Sequence, residues 1–478
     1  MYSRFIKKAV SILFVLIIIT VPAFAYEDIA TGKTIDITAN GAILVDLDTD
    51  TILYKRNMNK QCRPASLTKM MTLLVAYEQM QGRHQELVTL TNEMISVPSG
   101  SSNAGLKDGD MISINDLFYA MMLPSGNDAA KALAYIVSGN EENFALLMNE
   151  KARALGMTGS NFKNAHGFDA DGHYTTTYDL ALLSEALCEN EELVKIFSSY
   201  KYTATIYSNG NMNLPSSQTY YNTNDLLNPN LKVYFPGYKG IKTGYTKLAG
   251  NCLAGYFEAD GRRLVAVVTY STPTNRDPDM TKLLKYGLES FDTLNLREVF
   301  STKRIVVDLE NAASTDESNG QLELYLQHPV EDKFVTVTSD VGKKIRNFDE
   351  SVVSVRYPVL KAPQSAGDDV GMVEYIYNNE VIYSAMAQAS RTVDAEIESP
   401  MDLVPMDIKV KPRISFGFLT SKYFLIPLTV IIILAALVAC FVYTRRRQAL
   451  RIRARQKNGI TRTERRRNST RPGNRRQI

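Results

Sequence analysis

The first 300 residues of the chain alternate between apolar runs with helical spacing and short runs with strand-like spacing. Each period places the apolar side chains on one face, so these runs predict helices and strands, respectively. A hairpin is predicted at Gly41–Val45 and Thr51–Lys55, and a long helix then runs from Leu67 to about Gln81. Further helices are predicted at Ile114–Met122, Asp128–Val137, Glu142–Leu155, Thr177–Cys188, Leu193–Ser198 and Met280–Phe291.

Two stretches between these helices predict a sheet and a cleft beside it. Ser199–Leu227 is rich in Asn, Ser and Tyr, and its length predicts a surface hairpin or a loop next to a binding cleft. After it, a strand around Lys242 precedes Asn251–Phe257 and Leu264–Tyr270, which predict a second hairpin. We therefore expect one domain of helices and antiparallel strands over residues 26–296.

From about Ser301 the pattern changes to short alternating strands, which predict a separate all-β domain over residues 301–396. Asn378-Asn379 provides a hairpin turn within it. The sequence of this region contains no cluster of chemically reactive groups, so its predicted role is a spacer or docking module. A linker with several prolines is predicted at residues 397–421. The strands are predicted at Arg304–Leu309, Leu322–Leu326, Phe334–Thr338, Ser351–Val359, Val373–Tyr377 and Val381–Ala385.

Both ends of the chain predict export and membrane attachment. Residues 1–25 have a basic start, an apolar run and an Ala-Phe-Ala ending, which is the pattern of a signal peptide cleaved before Tyr26. An uncleaved anchor is the alternative. Residues 423–443 carry no charge and are long enough to cross a bilayer as a helix. Arginines follow at once, so we expect a single-pass cell-membrane protein with its domains outside and a cytoplasmic C-terminus.

The net charge of +3 hides an asymmetry between the tail and the rest of the chain. Residues 444–478 contain fourteen Lys or Arg and one Glu, whereas residues 26–443 have a net charge of −13. The basic tail can be interpreted as a nucleic-acid arm or as a stop-transfer flank that contacts anionic membrane lipid. Its position beside the span favours lipid, and we expect no nucleic acid partner.

The cysteines and histidines do not form a familiar ligand pattern. Cys62, Cys188 and Cys252 are scattered, and Cys440 lies in the predicted span. One disulfide is an alternative, but packed free thiols are the expectation for such spacing. Asp169-x-Asp171-Gly172 lacks the later ligands of a calcium loop. We predict no metal and no cofactor.

The pattern Ser-x-x-Lys occurs three times, as Ser66/Lys69, Ser160/Lys163 and Ser198/Lys201. A single match is weak evidence for catalysis. Ser66 differs because it lies at the start of an apolar helix, where free N–H groups and the helix dipole favour a developing alkoxide. Lys69 lies one helical turn later and can accept the serine's proton, provided that the lysine is neutral.

Two further motifs follow Ser66 in the same predicted domain. Ser125-Gly126-Asn127 lies in a tight loop between two apolar helices, unlike the similar runs at Ser101 and Ser138. Lys242-Thr243-Gly244 occurs once, in a predicted strand, where a glycine is favoured if something approaches the backbone closely. The ordered trio, with gaps of 59 and 117 residues, is a signature of penicillin-binding proteins and related β-lactamases.

On these motifs the chain resembles the low-molecular-mass penicillin-binding proteins, specifically the serine-type D-alanyl-D-alanine carboxypeptidases. The likeness covers about Thr34–Phe291 and implies an α/β (α+β) penicillin-binding-protein or β-lactamase-like transpeptidase fold, with an antiparallel sheet flanked by helices. The β-domain resembles the small C-terminal domain of the same family. The segments that carry the resemblance are Arg63–Thr72, Ser125–Ala130, Asn164–Asp179, Asn222–Asn224 and Gly240–Thr246.

The resemblance implies the catalytic roles. Ser66 corresponds to the acylating nucleophile, Lys69 to its base, and Ser125 to a proton relay toward the leaving amine. The backbone N–H groups of Ser66 and Tyr245 correspond to the oxyanion hole. Lys69 must be neutral near pH 7, and burial beside the like charge of Lys242 lowers a lysine pKa in that direction.

The resemblance also implies the substrate. Asn127 corresponds to a residue that holds the lysine and the substrate amide, and Lys242 and Thr243 to the partners of a C-terminal carboxylate. Gly244 lets an extended peptide lie against the strand edge. The implied reaction removes the terminal D-Ala from peptidoglycan stem peptides ending in D-Ala-D-Ala. β-Lactam antibiotics are expected to acylate the same serine.

Two other functions stay open at this stage. A class A β-lactamase carries a glutamate for deacylation after the second motif, and Gly156–Asp171 contains none. A non-catalytic sensor would be acylated by β-lactams without turnover and signal through the membrane, but residues 444–478 hold no folded signalling domain. The chain departs from many relatives in its full membrane span and in the phenol of Tyr245 directly after Lys-Thr-Gly.

Overall fold

The structure is a computed structural model that describes residues 27–29, 35–213 and 215–396. The predicted signal peptide (1–25), linker (397–421), membrane span (423–443) and basic tail (444–478) lie outside the described residues. Among the helices that are described, none combines the length and the apolar character needed to cross a membrane.

The strands of the described chain form three sheets and one two-stranded ribbon. The strands are β1 (Glu27–Asp28), β2 (Gly41–Asp46), β3 (Thr51–Arg56), β4 (Leu87–Thr89), β5 (Met111–Ser113), β6 (Lys201–Tyr207), β7 (Pro215–Tyr221), β8 (Tyr238–Thr246), β9 (Gly250–Ala259), β10 (Arg262–Ser271), β11 (Phe291–Asn295), β12 (Ile305–Asp308), β13 (Gln321–Gln327), β14 (Phe334–Thr338), β15 (Ser354–Arg356), β16 (Asp369–Tyr377) and β17 (Glu380–Ala389). The helices are α1 (Thr68–Gln79), α2 (Asn92–Ile95), α3 (Ile114–Met122), α4 (Asn127–Ser138), α5 (Glu141–Ala154), α6 (Thr177–Cys188), α7 (Glu191–Ser198), α8 (Arg276–Ser290), α9 (Leu296–Ser301) and α10 (Ser339–Arg346).

A six-stranded sheet in the order β1-β3-β2-β10-β9-β8 lies between two helical layers. Its pairs are antiparallel except for the short β1, which runs parallel to β3. Both faces are buried, since Ile43 and Val45 of β2 pack into one apolar cluster and Ala42 and Leu44 into another. Helix α8 covers the Leu44 face, and α1, α3, α4 and α6 belong to the opposite cluster. The predicted class, helices flanking an antiparallel sheet, is confirmed.

The polar stretch after α7 forms a hairpin at the border of the helical layer. β6 and β7 pair antiparallel, with Lys201 opposite Tyr221 at one end and Tyr207 opposite Pro215 at the other. They complete a second sheet in the order β4-β5-β6-β7. The chain then returns to the helices, where the backbone N–H of Thr223 donates to the carbonyl oxygen of Leu123 at 3.1 Å. Both parts of the prediction hold, because this stretch forms a hairpin and its end borders the cleft described below.

The C-terminal part is built on a five-stranded sheet in the order β12-β13-β17-β16-β15. The β16–β17 hairpin turns at Asn378-Asn379, where both residues have positive φ, as the sequence predicts. The prediction of an all-β domain is wrong in one element, because Ser339–Arg346 forms helix α10. This helix is only eight residues long and has two large apolar side chains, Val341 and Ile345, which are too few for helical spacing to be recognised in the sequence.

Several boundaries also differ from the prediction, two of them for a clear reason. Helix α8 begins at Arg276 rather than Met280, and the apolar pattern missed its first turn because that turn is polar. The strand predicted over Ser351–Val359 is reduced to β15, which pairs with β16 over three residues. Pro358 follows β15 and has no N–H to donate to a ladder, which accounts for the early end.

The N-terminal and C-terminal parts are joined by strand pairing. β11 follows α8 directly and pairs antiparallel with β14, with Phe291 opposite Thr338 at one end and Asn295 opposite Phe334 at the other. The hydroxyl of Thr293 in β11 donates to the buried carboxylate of Asp46 at 2.5 Å. The boundary near residue 296 therefore lies inside a continuous stretch of contacts.

Candidate active site

The nucleophile segment forms a tight turn that leads into α1. Ala65–Leu67 is one turn of 3-10 helix, and the α-helix starts at Thr68. Ala65 has a φ of 48°, a left-handed conformation that is uncommon for a residue with a Cβ. Gly167 packs against this turn so closely that a Cβ on it would lie 1.8 Å from the carbonyl oxygen of Ala65. Ser66 is therefore held in place by a loop far away in the sequence.

Lys69 is completely buried one helical turn after Ser66. Its Nζ lies 3.0 Å from the Oγ of Ser66, 2.6 Å from the Oδ1 of Asn127 and 2.8 Å from the carbonyl oxygen of His166. The two carbonyl-type oxygens can only accept hydrogen bonds. A neutral amine donates its two hydrogens to them, and its lone pair then faces the Ser66 hydroxyl. This is the geometry of a base next to a nucleophile.

The electrostatics favour the neutral form of this amine. Burial, together with the nearby charge of Lys242, lowers the pKa of Lys69 well below its ordinary value, against a smaller opposing effect of Asp128. Burial and the guanidinium of Arg276 lower the pKa of Lys242 to about 7. Lys69 can thus act as a base at neutral pH, while Lys242 titrates in the physiological range.

Ser125 and Asn127 come from the loop between α3 and α4. Ser125 is buried with a φ of 64°, and its Oγ has no hydrogen-bond partner among the described residues. Left-handed backbone and unpaired buried hydroxyls are both costly and are concentrated at functional sites. The backbone N–H of Asn127 donates to the carbonyl oxygen of Ser102 at 2.9 Å. The structure thus brings Ser125 and Asn127 to the same cleft as Ser66.

Asp128, directly after this motif, fixes a loop above the site and was not among the predicted site residues. Its buried carboxylate accepts hydrogen bonds from the backbone N–H groups of Ala104 and Leu106, at 2.8 and 3.2 Å. The loop over residues 100–106 is thereby tied to α4, and two of its serines line the cleft. An acidic residue in the first turn of a helix is usual, so the sequence offered no separate signal for this role.

Strand β8 is the edge of the central sheet and carries Lys242, Thr243 and Gly244 past the nucleophile turn. A Cβ on Gly244 would lie 3.2 Å from the backbone nitrogen of Ser66. The sequence predicts a close approach at this glycine, and the structure shows that the approaching backbone includes the protein's own turn. The Thr243 hydroxyl lies 2.6 Å from that of Thr223, and Lys242 is buried.

Tyr245 follows Gly244 at the end of β8 and is 64% exposed. Its side chain therefore adds a large apolar and polar surface at the mouth of the site. Its backbone adjoins the point where β8 meets the Ser66 turn. The two predicted oxyanion donors, the N–H groups of Ser66 and Tyr245, thus belong to segments that pack against each other.

A cleft of about 480 Å³, a size that suits a small molecule or peptide end, is lined by six of the predicted site residues: Ser66, Ser125, Asn127, Thr243, Gly244 and Tyr245. The buried Lys69 and Lys242 do not line it. One wall is the loop His166–Asp169, in which Asp169 accepts a hydrogen bond from the Thr246 hydroxyl at 3.1 Å. Arg276, at the start of α8, also lines the cleft and is held by Asp277 at 2.6 Å. Sequence reasoning missed Arg276 because no motif surrounds it and only the packing of α8 brings it to the site.

The two histidines near the cleft are neutral and support the loop. Nδ1 of His166 accepts from the backbone N–H of Phe168 at 3.1 Å, so the ring proton is on Nε2, 3.3 Å from Glu141. Nε2 of His173 lies 2.9 Å from the Thr68 hydroxyl. Burial lowers the pKa of His166 to about 3 and that of His173 to about 4. Across the described ranges, no group of three His, Cys, Asp or Glu is arranged for a metal.

The other Ser-x-x-Lys pairs lie elsewhere. The hydroxyl of Ser160 is already engaged, 2.7 Å from the Thr175 hydroxyl and 2.6 Å from the Asp179 carboxylate. Ser198 ends α7 and Lys201 begins β6, so no helix joins this pair. Neither pair lines the cleft. The described cysteines are free thiols: Cys62, Cys188 and Cys252.

The fold and the site define a class of protein, the active-site-serine enzymes, here with a buried lysine amine 3.0 Å from the serine hydroxyl. A family model described as D-alanyl-D-alanine carboxypeptidase matches residues 28–272, just over half of the chain. The chain therefore belongs to the D-alanyl-D-alanine carboxypeptidase family.

Individual relatives agree with this assignment. The chain is 33% identical over 273 residues to D-alanyl-D-alanine carboxypeptidase DacF of Bacillus subtilis (strain 168), a match covering 57% of this chain and 67% of the relative. It is 35% identical over 268 residues to the carboxypeptidase DacA of Escherichia coli (strain K12), covering 54% of this chain and 63% of the relative. The chain thus spans about two thirds of the length of these relatives.

Solved structures show the same fold. The crystal structure of penicillin binding protein 5 from Haemophilus influenzae matches with a TM-score of 0.53 and 27% identity. The match covers 76% of this chain and 99% of that chain, so it includes the C-terminal part as well as the sheet that carries the cleft.

Proposed function

We propose that this protein is a serine D-alanyl-D-alanine carboxypeptidase that removes the terminal D-Ala from peptidoglycan stem peptides through an acyl-enzyme on Ser66. One observation carries the proposal: the Oγ of Ser66 lies 3.0 Å from the amine of the fully buried Lys69. Membership of a family named for this activity supports it.

In the proposed acylation step, the Oγ of Ser66 attacks the carbonyl carbon of the penultimate D-Ala while its proton passes to Nζ of Lys69. The backbone N–H groups of Ser66 and Tyr245 stabilise the oxyanion. When the tetrahedral intermediate collapses, the peptide bond breaks and the leaving amine takes a proton from Lys69 through Ser125. Free D-alanine departs, and an ester joins Ser66 to the shortened peptide.

The terminal carboxylate of the substrate is proposed to bind between β8 and α8. Arg276 and Thr243 line the cleft and offer a guanidinium and a hydroxyl donor. The buried Lys242, next to Thr243 in β8, adds a positive charge below about pH 7. Asn127 holds Lys69 and faces the cleft, where its amide can bind the substrate backbone. A site that binds a free carboxylate next to the reacting bond selects the end of a peptide, which accounts for carboxypeptidase specificity.

Deacylation is proposed to use the same base. A water molecule attacks the ester carbonyl, its proton passes to Lys69, and Ser66 leaves with that proton restored. Among the described residues, the lining of the cleft contains no glutamate. The one carboxylate in this lining, Asp169, accepts a hydrogen bond from the Thr246 hydroxyl. We therefore assign water activation to Lys69 rather than to a carboxylate of the class A β-lactamase type.

β-Lactam antibiotics are proposed to acylate Ser66 in the same way. Their amide nitrogen remains tethered to the acyl group after ring opening, so the leaving group cannot depart as D-alanine does. We expect the resulting acyl-enzyme to be longer-lived than the one formed with peptide.

We also propose that the protein is a single-pass cell-membrane protein with its catalytic part outside the cell. Support comes from three sequence features outside the described residues: the signal-peptide pattern at 1–25, the uncharged stretch at 423–443 and the basic tail at 444–478. The tail is proposed to contact anionic lipid. Protease treatment of intact spheroplasts should remove the catalytic part and spare an epitope tag at the C-terminus.

Release of D-alanine from a pentapeptide ending in D-Ala-D-Ala tests the function, using the purified full-length protein in detergent. We expect release by the unmodified protein and a loss of at least about 1,000-fold in Ser66→Ala. Labelling by a fluorescent penicillin should vanish in Ser66→Ala and persist in Ser160→Ala and Ser198→Ala. Stable labelling without any D-alanine release would refute the enzyme and support an acylated sensor instead.

A further inference from the structure

A second cavity, of about 590 Å³, lies on the other side of the wall that borders the cleft. We call it the Tyr270 cavity; its lining includes Asn57, Lys60, Gln61, Arg63, Leu248 and Tyr270. The same two segments line both spaces. The loop after α5 contributes His166–Asp169 to the cleft and Gly172–Tyr174 to the cavity. The end of β8 and the turn after it contribute Tyr245–Lys247 to the cleft and Leu248 to the cavity.

The distance between the two spaces suits the length of a stem peptide. Arg63 lines the cavity and precedes Ser66 by three residues, so their Cα atoms lie within about 11 Å of each other. The four stem residues that stay on the enzyme after cleavage span about 13 Å when extended. A peptide acylated at Ser66 can therefore reach the cavity with its far end.

The direction in which the substrate is proposed to bind also leads its upstream end toward the Tyr270 cavity. In the proposed binding mode, the carboxylate end lies at Lys242 and Thr243, and the reacting carbonyl lies at Ser66. The upstream residues then run along β8 past Tyr245 toward Leu248, where the cavity opens. Exposed apolar side chains mark this path, namely Phe168 and Tyr245 at the cleft, then Leu248 and Tyr270 at the cavity.

The lining of the cavity suits a polar, ring-shaped ligand. Asn57 and Gln61 line it with carboxamides, and the amide of Asn57 already donates to the carbonyl oxygen of Asn40 at 2.7 Å. Lys60 and Arg63 add positive charge, and no Asp or Glu is among the described lining residues. The side chain of Gln61 is exposed and makes no hydrogen bond within the described part of the chain. Carboxamides can bond the hydroxyl and acetamido groups of an amino sugar, and an exposed aromatic ring can pack on the apolar face of a sugar.

Tyr270 itself has an unusual backbone. Its φ is 54°, a left-handed value that is a clear outlier for a bulky residue, and it interrupts the register of β10 with β9 between Val268 and Ser271. The ring is nevertheless 56% exposed, so burial of the side chain does not account for this conformation. Such strain persists where the surroundings impose it and is frequent in ligand-binding segments.

We propose that the Tyr270 cavity binds the amino sugar of the peptidoglycan glycan strand from which the stem peptide extends. This inference rests on the proposed function, since it places the far end of the same substrate. The enzyme would then recognise its substrate at two points, the terminal carboxylate in the cleft and the sugar in the cavity.

The test compares two substrates with the full-length protein in detergent: a free pentapeptide, and the same pentapeptide attached to its disaccharide. In Tyr270→Ala and in Gln61→Ala, kcat/KM should fall about tenfold for the disaccharide-pentapeptide, mainly through KM, and stay within about twofold for the free peptide. Tyr325→Ala is the matched control, because Tyr325 is 59% exposed on β13 of the C-terminal part. It should change neither value.

Equal losses on both substrates, or no loss on either, would overturn the sugar site while leaving the carboxypeptidase intact. If the unmodified protein cleaves neither substrate, the proposed function fails, and binding of the bare disaccharide decides the cavity separately. Saturation-transfer NMR should show that binding in the unmodified protein and its loss in Tyr270→Ala. Absence of binding by the unmodified protein would refute the cavity assignment.

Discussion

Single residues with left-handed backbone hold the reacting groups of this site. Ala65 and Ser125 have φ values of 48° and 64°, and each such residue costs about 1–2 kcal/mol relative to an ordinary conformation. The surroundings enforce both: Gly167 packs under Ala65, and Ser125 sits between two buried helices. The conformations therefore serve to aim side chains into the cleft.

Replacing Ser125 with glycine should separate stability from catalysis. Glycine accepts this φ freely, so Ser125→Gly should keep or raise the melting temperature. The lost hydroxyl should lower the rate of acylation by penicillin about 100-fold or more, because the proton relay is gone. Asn209→Gly, at another left-handed residue (φ of 53°), is the control and should leave acylation unchanged. Unchanged acylation in Ser125→Gly would remove this serine from the mechanism.

The charge of Lys242 should control substrate binding in the neutral range. Its pKa of about 7 means that it is charged below pH 7 and neutral above it. KM for a pentapeptide should therefore rise between pH 6 and pH 8.5, because the carboxylate loses one of its cations. Lys242→Arg keeps its charge and should show a flatter KM profile. Steady-state kinetics across this range measure both, and a flat profile in the unmodified protein would contradict the role.

The site residues that belong to sequence motifs could be predicted, whereas the residues that hold them in place by packing could not. Ser66, Lys69 and Lys242 stand in short, ordered patterns whose residue types carry the chemistry. Arg276 stands in no such pattern, and Gly167 lies in a segment that resembles the family, Asn164–Asp179, but was given no role there. Their importance comes from packing between segments that are far apart in the chain.

At the scale of elements, segments rich in apolar residues were predicted well and segments poor in them were not. Helices α3 and α6 match their predicted ranges because most of their residues are apolar and buried. Helix α10 was missed because its eight residues include only two large apolar side chains, Val341 and Ile345. Asp292 explains its placement: this carboxylate accepts from the Ser339 hydroxyl at 2.9 Å and pairs with Arg346 at 2.5 Å.

The loop that carries Gly167 is expected to be the least tolerant element of the site. Gly167→Ala adds a Cβ that overlaps the Ala65 carbonyl, so the nucleophile turn must move. Gly139→Ala is the matched control, since its φ of 83° resembles the 87° of Gly167 but no atom lies within 4 Å of the added Cβ. Gly167→Ala should lose penicillin labelling almost completely and lower stability by several kcal/mol, whereas Gly139→Ala should cost about 1–2 kcal/mol. If the two variants had equal effects on penicillin labelling and on the free energy of unfolding, the loss would come from backbone strain alone and not from overlap with Ala65.

At the scale of the whole molecule, a small polar network couples the catalytic part to the C-terminal part. The hydroxyl of Thr336 in β14 lies 2.7 Å from that of Thr49 and 3.3 Å from that of Thr293. Thr293 in turn donates to Asp46. Because these groups are largely withdrawn from water, their hydrogen bonds should contribute to a single cooperative unfolding transition.

Thr336→Val should test this coupling without changing side-chain volume. We expect a loss of about 1 kcal/mol, because a buried hydroxyl and its partners lose their hydrogen bonds. On the same strand, the hydroxyl of Thr338 makes no hydrogen bond among the described residues. Thr338→Val should therefore cost less than about 0.5 kcal/mol. Denaturant unfolding with probes in both parts gives these values. Equal costs for the two variants would argue against the network.

The two neutral histidines should make the protein sensitive to acid. Their native pKa values, about 3 for His166 and about 4 for His173, lie below the ordinary value of 6.5. Between pH 6.5 and pH 4 the unfolded chain takes up protons that the native state does not, so stability falls as the pH falls. The melting temperature should drop over this range, and His173→Gln should show a smaller drop. An equal drop in the variant would assign the acid sensitivity to other groups.

The amino-acid sequence alone determined the local chemistry and the elements that carry it. A serine and a lysine one helical turn apart, a polar loop between two apolar helices and a lysine on a strand are all local features, and periodicity reads them directly. The order of the three motifs already singled out Ser66 among the three Ser-x-x-Lys pairs, and tertiary structure decided how closely Ser66 meets β8 and the α3–α4 loop. It also lowers the pKa of Lys69 well below its ordinary value, since burial and the neighbouring charge of Lys242, rather than residue type, shift it.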